Sequence, residues 1–193
     1  AFFNTDKKYL ESFENFVNDV NNLGIVGKES FIVLKPETAI IGFSKNGDYE
    51  CHSCNAISSK ESRFKRPSVT ECNEKSCICL CLKVPYIKGS SRDVQVFCEK
   101  IQCKSTNFEI YPEIKIGEII NAKFASSPKD PVWKNGFFYG YGIKEVEPSL
   151  SGMPPNQESK FIVYIEKKTI GSQNYVGVCP TLPPNVECIK EQN

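Results

Sequence analysis

Residues 77–84 read CICLCLKV, and this stretch carries the fold prediction. Cys77, Cys79 and Cys81 alternate with aliphatic residues, which is the two-residue period of a β-strand. In an extended strand the three sulfur atoms therefore leave from one face and the aliphatic side chains from the other. Residues i and i+2 of a strand lie about 6.7 Å apart, whereas a disulfide holds its Cβ atoms about 3.8 Å apart. Each of the three cysteines must then bond a different neighbour, which makes this strand the predicted hub of a disulfide network.

The chain holds ten cysteines among its 193 residues. An even number of closely spaced cysteines is typical of disulfides that form in an oxidising compartment, so we predict an extracellular or cell-surface location. The simplest pairing outside the hub joins Cys179 to Cys188 and closes a proline-rich tail. The pairing of the others is not fixed by spacing. The predicted disulfide residues are Cys51, Cys54, Cys72, Cys77, Cys79, Cys81, Cys98, Cys103, Cys179 and Cys188.

Zinc bound by thiolates is the main alternative to disulfides. Cys51 and Cys54 form a C-x-x-C that encloses His52, and the hub cysteines could supply further thiolates. A structural zinc site would need a second C-x-x-C or a spaced histidine pair, and His52 is the only histidine of the chain. We therefore expect neither metal nor cofactor, and a zinc-stabilised domain is kept as a further alternative.

The overall composition limits the function classes. The chain has 24 basic and 23 acidic residues, for a net charge of +1 and a pI near 7.6. A nearly neutral chain is not expected to bind nucleic acid through charge. No apolar stretch approaches the ~18 residues of a membrane span, so we expect any export signal or membrane anchor to precede Ala1.

The first 24 residues predict an amphipathic helix that ends at Gly24. Apolar residues recur there at spacings of four and three, which places them on one helix face. This face is expected to pack on the chain's own sheet or, in part, on another copy of the protein. Together with two phenylalanines at the start, it gives the self-association candidates Phe2, Phe3, Tyr9, Phe13, Phe16 and Val20.

Residues 25–193 predict a disulfide-rich β domain that forms a single globular unit with the helix. We count eight to ten short strands, so the expected fold class is α+β, with a predominantly antiparallel sheet or sandwich cross-linked by disulfides. Asn46-Gly47 and Asn135-Gly136 are typical of two-residue hairpin turns, and Gly171 is predicted to turn a final hairpin. Residues 58–75 are polar and lack a period, which predicts a loop.

Catalytic motifs are missing from the sequence, and we predict that the protein is not an enzyme. His52 stands between two predicted disulfide cysteines, where it is a poor general base. No nucleophile elbow, metalloprotease or P-loop pattern occurs, and the carboxylates are scattered.

Two segments are candidates for partner binding. The loop around residues 60–66 carries four basic residues and one acidic residue, which suits either a solvated surface or an anionic partner or glycan. The aromatic hairpin that follows Trp133 should bury Phe137, Tyr139 and Tyr141 on one face by alternation and expose Phe138 on the other. The candidate residues are Arg63, Phe64, Lys65, Arg66, Trp133 and Phe138.

Five short motifs along the chain are the basis of a resemblance to a known group of proteins. They are Ile41-Gly42-Phe43, Cys51-x-x-Cys54, Arg66-Pro67-Ser68, Cys77-Ile78-Cys79-Leu80-Cys81 and Trp133-Lys134-Asn135-Gly136-Phe137. The chain resembles uncharacterised cysteine-rich exported proteins of DPANN-type archaea over about residues 6–179. That resemblance implies an organisation similar to type IV pilins, with a hydrophobic anchor before an amphipathic helix and a C-terminal loop closed by cysteines. The chain departs from a mature pilin in lacking the long apolar first half of the helix.

The sequence thus predicts a non-enzymatic extracellular or cell-surface structural protein that associates with copies of itself as a filament or coat subunit. Another cell-surface protein or a glycan is a further expected partner. The alternative is a secreted monomeric binding module, an adhesin or inhibitor, that uses the 58–75 loop and the aromatic hairpin.

Overall fold

A computed structural model describes residues 3–52, 61–83, 86–89, 93–115, 132–141, 158–180 and 187–190. In this part of the chain one helix precedes fourteen strands that are mostly antiparallel, which confirms the predicted fold class. The elements are α1 (Phe3–Asn21), β1 (Lys28–Leu34), β2 (Thr38–Phe43), β3 (Tyr49–His52), β4 (Glu61–Phe64), β5 (Cys77–Lys83), β6 (Tyr86–Gly89), β7 (Asp93–Phe97), β8 (Lys100–Ser105), β9 (Glu109–Ile110), β10 (Glu113–Lys115), β11 (Val132–Lys134), β12 (Gly136–Tyr141), β13 (Ser159–Ile170) and β14 (Gln173–Pro180).

The strands form three sheets. Their orders are β1-β13-β14-β9 for the first sheet, β10-β11-β3-β4-β7-β6 for the second and β12-β2-β5-β8 for the third. The hub strand β5 lies inside the third sheet between β2 and β8, and its residues from Cys77 to Leu82 are all buried. Burial on both faces explains why cysteines occupy one face of this strand and aliphatic residues the other.

The apolar face of α1 packs inside this chain. Phe13, Phe16 and Val20 are fully buried, and the Phe16 ring lies edge-on to Phe137 of β12 with the centroids 6.1 Å apart. These residues are therefore not available for self-association, which corrects that part of the prediction. The helix ends at Asn21, three residues before Gly24, where the Asn107 N–H donates to the Asn21 Oδ1 atom over 2.8 Å.

The two Asn-Gly pairs do not form hairpins, contrary to the prediction. Asn46-Gly47 joins β2 of the third sheet to β3 of the second, and Asn135-Gly136 joins β11 of the second to β12 of the third. The corners touch, because the Ser44 N–H donates to the Asn135 carbonyl oxygen over 2.8 Å. Asn135 has a left-handed φ of 56°, a conformation that asparagine tolerates well. Both pairs thus carry the chain between layers instead of reversing it within one sheet.

The predicted 58–75 loop contains regular structure. Residues 61–64 form β4, an interior strand of the second sheet between β3 and β7, and Thr70–Cys72 form one turn of 3₁₀ helix. The strand forms because the Phe64 side chain inserts into the core. The polar residues around Phe64 explain why the sequence did not predict this strand. The hairpin at Gly171 is confirmed, since β13 pairs with β14 and Gly171 has a φ of 61°.

Candidate functional site

The three cysteines of β5 bond three different partners. The disulfides are Cys72–Cys77, Cys79–Cys103 and Cys81–Cys98. Cys103 lies directly opposite Cys79 on β8, and their Cα atoms are 4.0 Å apart. Disulfide cross-linking through this strand is therefore confirmed, and no described cysteine has a free thiol.

Two of these disulfides touch inside the protein. The Sγ atoms of Cys72 and Cys79 are 3.7 Å apart, and the Sγ atoms of Cys72, Cys77 and Cys79 all lie within 4.8 Å of one another. Cys103 is 8% exposed and the other three are at most 2% exposed. We call Cys72, Cys77, Cys79 and Cys103 the four-cysteine cluster. This set differs from the one that sequence reasoning considered for zinc, because Cys72 and Cys103 join the site and Cys81 does not. Cys54 lies outside the described residues.

Arg66 holds the loop beside this cluster. Its guanidinium donates to the backbone carbonyls of Ser44, Cys72 and Lys75, and its own N–H donates to the Asp48 Oδ1 atom over 2.8 Å. Burial lowers the pKa of Arg66, although the charges of Glu109 and Asp48 act in the opposite direction. Arg66 thus acts as a structural clamp on this loop, and its predicted role in partner binding stays a prediction.

The C-terminal segment is fixed on the outside of the first sheet. A disulfide joins Cys179 to Cys188, as predicted, and the Glu166 carboxylate accepts the N–H groups of Cys188 and Ile189 over 2.8 and 3.1 Å. A Cβ atom on Gly177 would lie 2.7 Å from Ile189 Cγ1 and 2.8 Å from Cys188 Sγ. Glycine is therefore needed there for the tail to lie close to β14.

The aromatic residues proposed for partner binding belong to the core. Phe64 stacks on Phe138 with the ring centroids 5.3 Å apart, and Phe138 stacks on Tyr49 at 5.9 Å. Trp133 and Phe138 are each only 1% exposed. Exposure of Phe138 was wrongly predicted because β12 is covered on both faces: Phe137 contacts the helix, and Phe138 contacts the second sheet.

Three polar groups are buried among these rings without hydrogen bonds. They are the Tyr49 hydroxyl, the Tyr139 hydroxyl and the Trp133 Nε1–H, which have no partner in the described part of the chain. Trp133 lies edge-on to Tyr139, with centroids 5.5 Å apart. Burial raises the pKa of Tyr49 and of Tyr139 well above its usual value, so both hydroxyls stay protonated.

The remaining charged candidates lie at the surface. The Arg63 Nη2 atom is 3.1 Å from Glu50 Oε1, and the His52 Nε2 atom is 3.2 Å from Glu50 Oε2. Lys65 is exposed. Lys65 and Arg66 also line a cavity of about 220 Å³ whose walls include Ile41, Phe43 and Phe64.

Of the three first-named self-association candidates, Tyr9 is the one whose side chain lies among the described residues. Phe2 lies outside the described residues, and Phe3 is described only as the first residue of α1. Tyr9 is half-buried, with the Lys35 ammonium 5.5 Å from the centre of its ring.

Sequence reasoning missed a different apolar surface. Phe31 of β1 and Ile162 of β13 are directly paired on the outer side of the first sheet, where they are 46% and 47% exposed. Ile25 and Val26, in the connection before β1, are 95% and 80% exposed. We call the side of β1 and β13 around Phe31 and Ile162 the outer apolar face. The tracts FIVL and FIVYI are apolar at nearly every position, so alternation did not reveal which side faces outwards.

In the part of the chain that the structure describes, no helix combines the length and the apolar character that crossing a membrane requires. Comparison with protein-family models, with curated proteins and with solved structures gives no match for this chain. Several disulfides are typical of proteins that mature in an oxidising environment, which agrees with the broad location that the sequence predicted.

Proposed function

We propose that this protein is a non-enzymatic structural component of the cell surface or extracellular space that associates with copies of itself. The observation that carries the proposal is the disulfide network on β5, where three successive inward cysteines bond three partners. Each such bond adds about 2–4 kcal/mol to the free energy of unfolding. This stabilisation suits a protein that must stay folded where chaperones do not refold it and new synthesis does not replace it.

The outer apolar face supports self-association. Its centre is the Phe31–Ile162 pair, and an exposed apolar patch is a common mark of a protein contact. Glu29 and Lys160 are exposed at diagonally opposite corners of this pair, because Glu29 is opposite Tyr164 and Lys160 is opposite Val33. A second copy can pack on this face through a two-fold axis that lies parallel to the sheet and perpendicular to the line from Glu29 to Lys160. This arrangement would place each Glu29 against the partner's Lys160. The face is thus complementary to itself in its charges, and at its centre the Lys160 ammonium lies 3.9 Å from the centre of the Phe31 ring of the same chain.

Substitution of Phe31 tests this proposal. Light scattering and electron microscopy over a range of concentrations should show wild-type assemblies larger than the 21.7 kDa chain. Phe31→Asp should reduce them to monomers, since it places a charge at the centre of the face. Asn73→Asp is the matched control, because it adds the same charge at an exposed position outside the face. A wild type that stays at 21.7 kDa under all conditions would contradict self-association.

A secreted binding module is the second candidate, and the cavity beside Lys65 favours it. Its apolar walls and basic rim suit a small apolar molecule with an anionic group. Anilinonaphthalene sulfonate is a suitable fluorescent probe. Lys65→Glu should weaken its binding, whereas Lys104→Glu, a charge reversal at an exposed lysine that does not line the cavity, should not. Equal binding by the two variants would count against this candidate.

The resemblance to archaeal exported proteins and to pilins remains a prediction. It is compatible with the order of one helix followed by sheets and with the tail closed by Cys179–Cys188.

A further inference from the structure

We propose that the four-cysteine cluster is a redox-dependent metal site, which holds two disulfides when oxidised and one tetrahedral Zn²⁺ ion when reduced. This inference concerns the reduced chain, so it goes beyond the proposed function, which concerns the oxidised one. A chain that acquires disulfides outside the cell begins with free thiols. The cluster would give its core a cross-link in both states.

The sulfur positions already approach those of a zinc–thiolate centre. Zinc–sulfur bonds of about 2.3 Å in a tetrahedron place neighbouring sulfur atoms about 3.8 Å apart. The Sγ atoms of Cys72 and Cys79 are 3.7 Å apart without any bond between them. Once the two disulfides are cut, rotation about the Cα–Cβ bonds can bring the two formerly bonded sulfur pairs to the same spacing.

The backbone places the four ligands around one point. Cys77 and Cys79 leave β5 on the same face, Cys103 stands opposite Cys79 on β8, and Cys72 lies in the short 3₁₀ turn. The ligands thus come from three elements: β5 and β8 are joined by backbone hydrogen bonds, and the Arg66 guanidinium holds the turn through the Cys72 carbonyl. Among these elements, the sheet pairing of β5 with β8 fixes two ligands in register.

The charge of the site has a counterion nearby. Four thiolates and one Zn²⁺ carry a net charge of two negative units, which a buried position disfavours unless a cation is close. Arg66 supplies that cation, because its guanidinium bonds the carbonyl of Cys72 itself and that of Lys75 in the same loop. A neighbouring arginine also favours the thiolate over the thiol.

The conversion balances with a dithiol as reductant. Each protein disulfide accepts two electrons and two protons from one dithiol, which leaves as its own cyclic disulfide, so two dithiols yield four cysteine thiols. The four thiols then lose four protons to solvent as their sulfur atoms bind Zn²⁺. Reoxidation by two disulfide equivalents releases the ion and restores the Cys72–Cys77 and Cys79–Cys103 bonds.

Cobalt titration of the reduced full-length chain tests the proposal. Under anaerobic conditions, one Co²⁺ per chain should produce the visible absorption bands of tetrahedral cobalt thiolate, and Zn²⁺ should abolish them. The double variant Cys79→Ser with Cys103→Ser should lose these bands. The control, Cys179→Ser with Cys188→Ser, also removes a disulfide and should retain them, since that disulfide lies on the outside of the first sheet.

Alkylation of the wild type gives a second measurement that does not depend on variants folding. Compared with the zinc-free reduced chain, Zn²⁺ should slow the alkylation of Cys72, Cys77, Cys79 and Cys103 and leave the alkylation rates of the other six cysteines unchanged. The absence of tetrahedral bands in the reduced wild type would overturn the proposal, as would protection of a different set of cysteines. Neither result would affect the self-association of the oxidised protein, so the two proposals fail separately.

Discussion

Removal of the Cys79–Cys103 disulfide should destabilise the fold more than removal of its neighbour Cys72–Cys77. The first bond joins residues 24 positions apart and the second joins residues 5 apart. A disulfide stabilises largely through the loop that it closes in the unfolded chain, which gives about 3.5 kcal/mol for the longer loop and about 2.1 kcal/mol for the shorter. The expected difference in the free energy of unfolding is therefore about 1.4 kcal/mol.

Two double variants isolate this difference: Cys79→Ala with Cys103→Ala, and Cys72→Ala with Cys77→Ala. All four positions are buried, so the packing lost with the sulfur atoms is similar and largely cancels in the comparison. Urea unfolding measures the result. At a slope of about 2 kcal/mol/M, the variant without the longer loop should unfold at a midpoint about 0.7 M lower. Equal midpoints, or a lower midpoint for the Cys72/Cys77 variant, would refute the loop-closure reasoning.

Three further expectations concern the core and the tail. Tyr139→Phe removes a buried hydroxyl that has no partner in the described residues, so urea unfolding should show no change in stability or a gain of up to about 1 kcal/mol. Tyr111→Phe should destabilise the protein, because the Tyr111 hydroxyl donates to the Lys190 carbonyl. Destabilisation by Tyr139→Phe would show that its hydroxyl has a hydrogen-bond partner. Burial raises the pKa of Tyr49 and of Tyr139, so on raising the pH the unfolded chain loses these two hydroxyl protons before the folded chain does. The free energy of unfolding should therefore fall as the pH rises above 10.0, and the double variant Tyr49→Phe with Tyr139→Phe should show a smaller fall. An equal fall in the double variant would contradict this reasoning. Gly177→Ala should lower the free energy of unfolding by about 1–3 kcal/mol, because the added Cβ atom displaces the C-terminal tail. Gly24→Ala is the control and should have little effect, because a Cβ atom there meets nothing within 4 Å. Equal effects on the unfolding midpoint would argue against a close contact between the tail and β14.

The parts of the fold that sequence predicted are those that local chemistry dictates. The alternation at Cys77, Cys79 and Cys81 predicts both the strand and the need for three partners, since neither depends on distant residues. Gly171 and its flanking β-rich segments predict the last hairpin in the same way. The helix follows from the spacing of Phe13, Phe16 and Val20.

The errors arise where tertiary packing decides. An Asn-Gly pair fits a tight turn, but whether the flanking strands join one sheet or two depends on partners elsewhere in the chain. Phe138 alternates with buried neighbours and was expected to be exposed, yet a second layer covers its face of β12. In the sequence, Arg66 is one of several basic residues of a predicted loop, so its structural role was missed. That role depends on three carbonyl groups that tertiary packing places beside its guanidinium.

The candidate site was predicted in its chemistry more than in its geometry. Sequence indicated disulfides at the hub, and the Cys179–Cys188 pairing followed from proximity along the chain. The contact between Cys72 and Cys79 could not be predicted, because it depends on the 3₁₀ turn that returns Cys72 to the face of β5. The outer apolar face was hidden because the FIVL tract of β1 and the FIVYI tract of β13 are apolar on both sides of their strands.

Disulfide mapping of the native protein tests the central claim most directly. The chain is alkylated in denaturant without reductant, digested and analysed by mass spectrometry. We expect no alkylated cysteine, and we expect linked peptides that join Cys79 to Cys103, Cys81 to Cys98 and Cys179 to Cys188. Alkylation at all ten cysteines of protein taken from its native setting would contradict it.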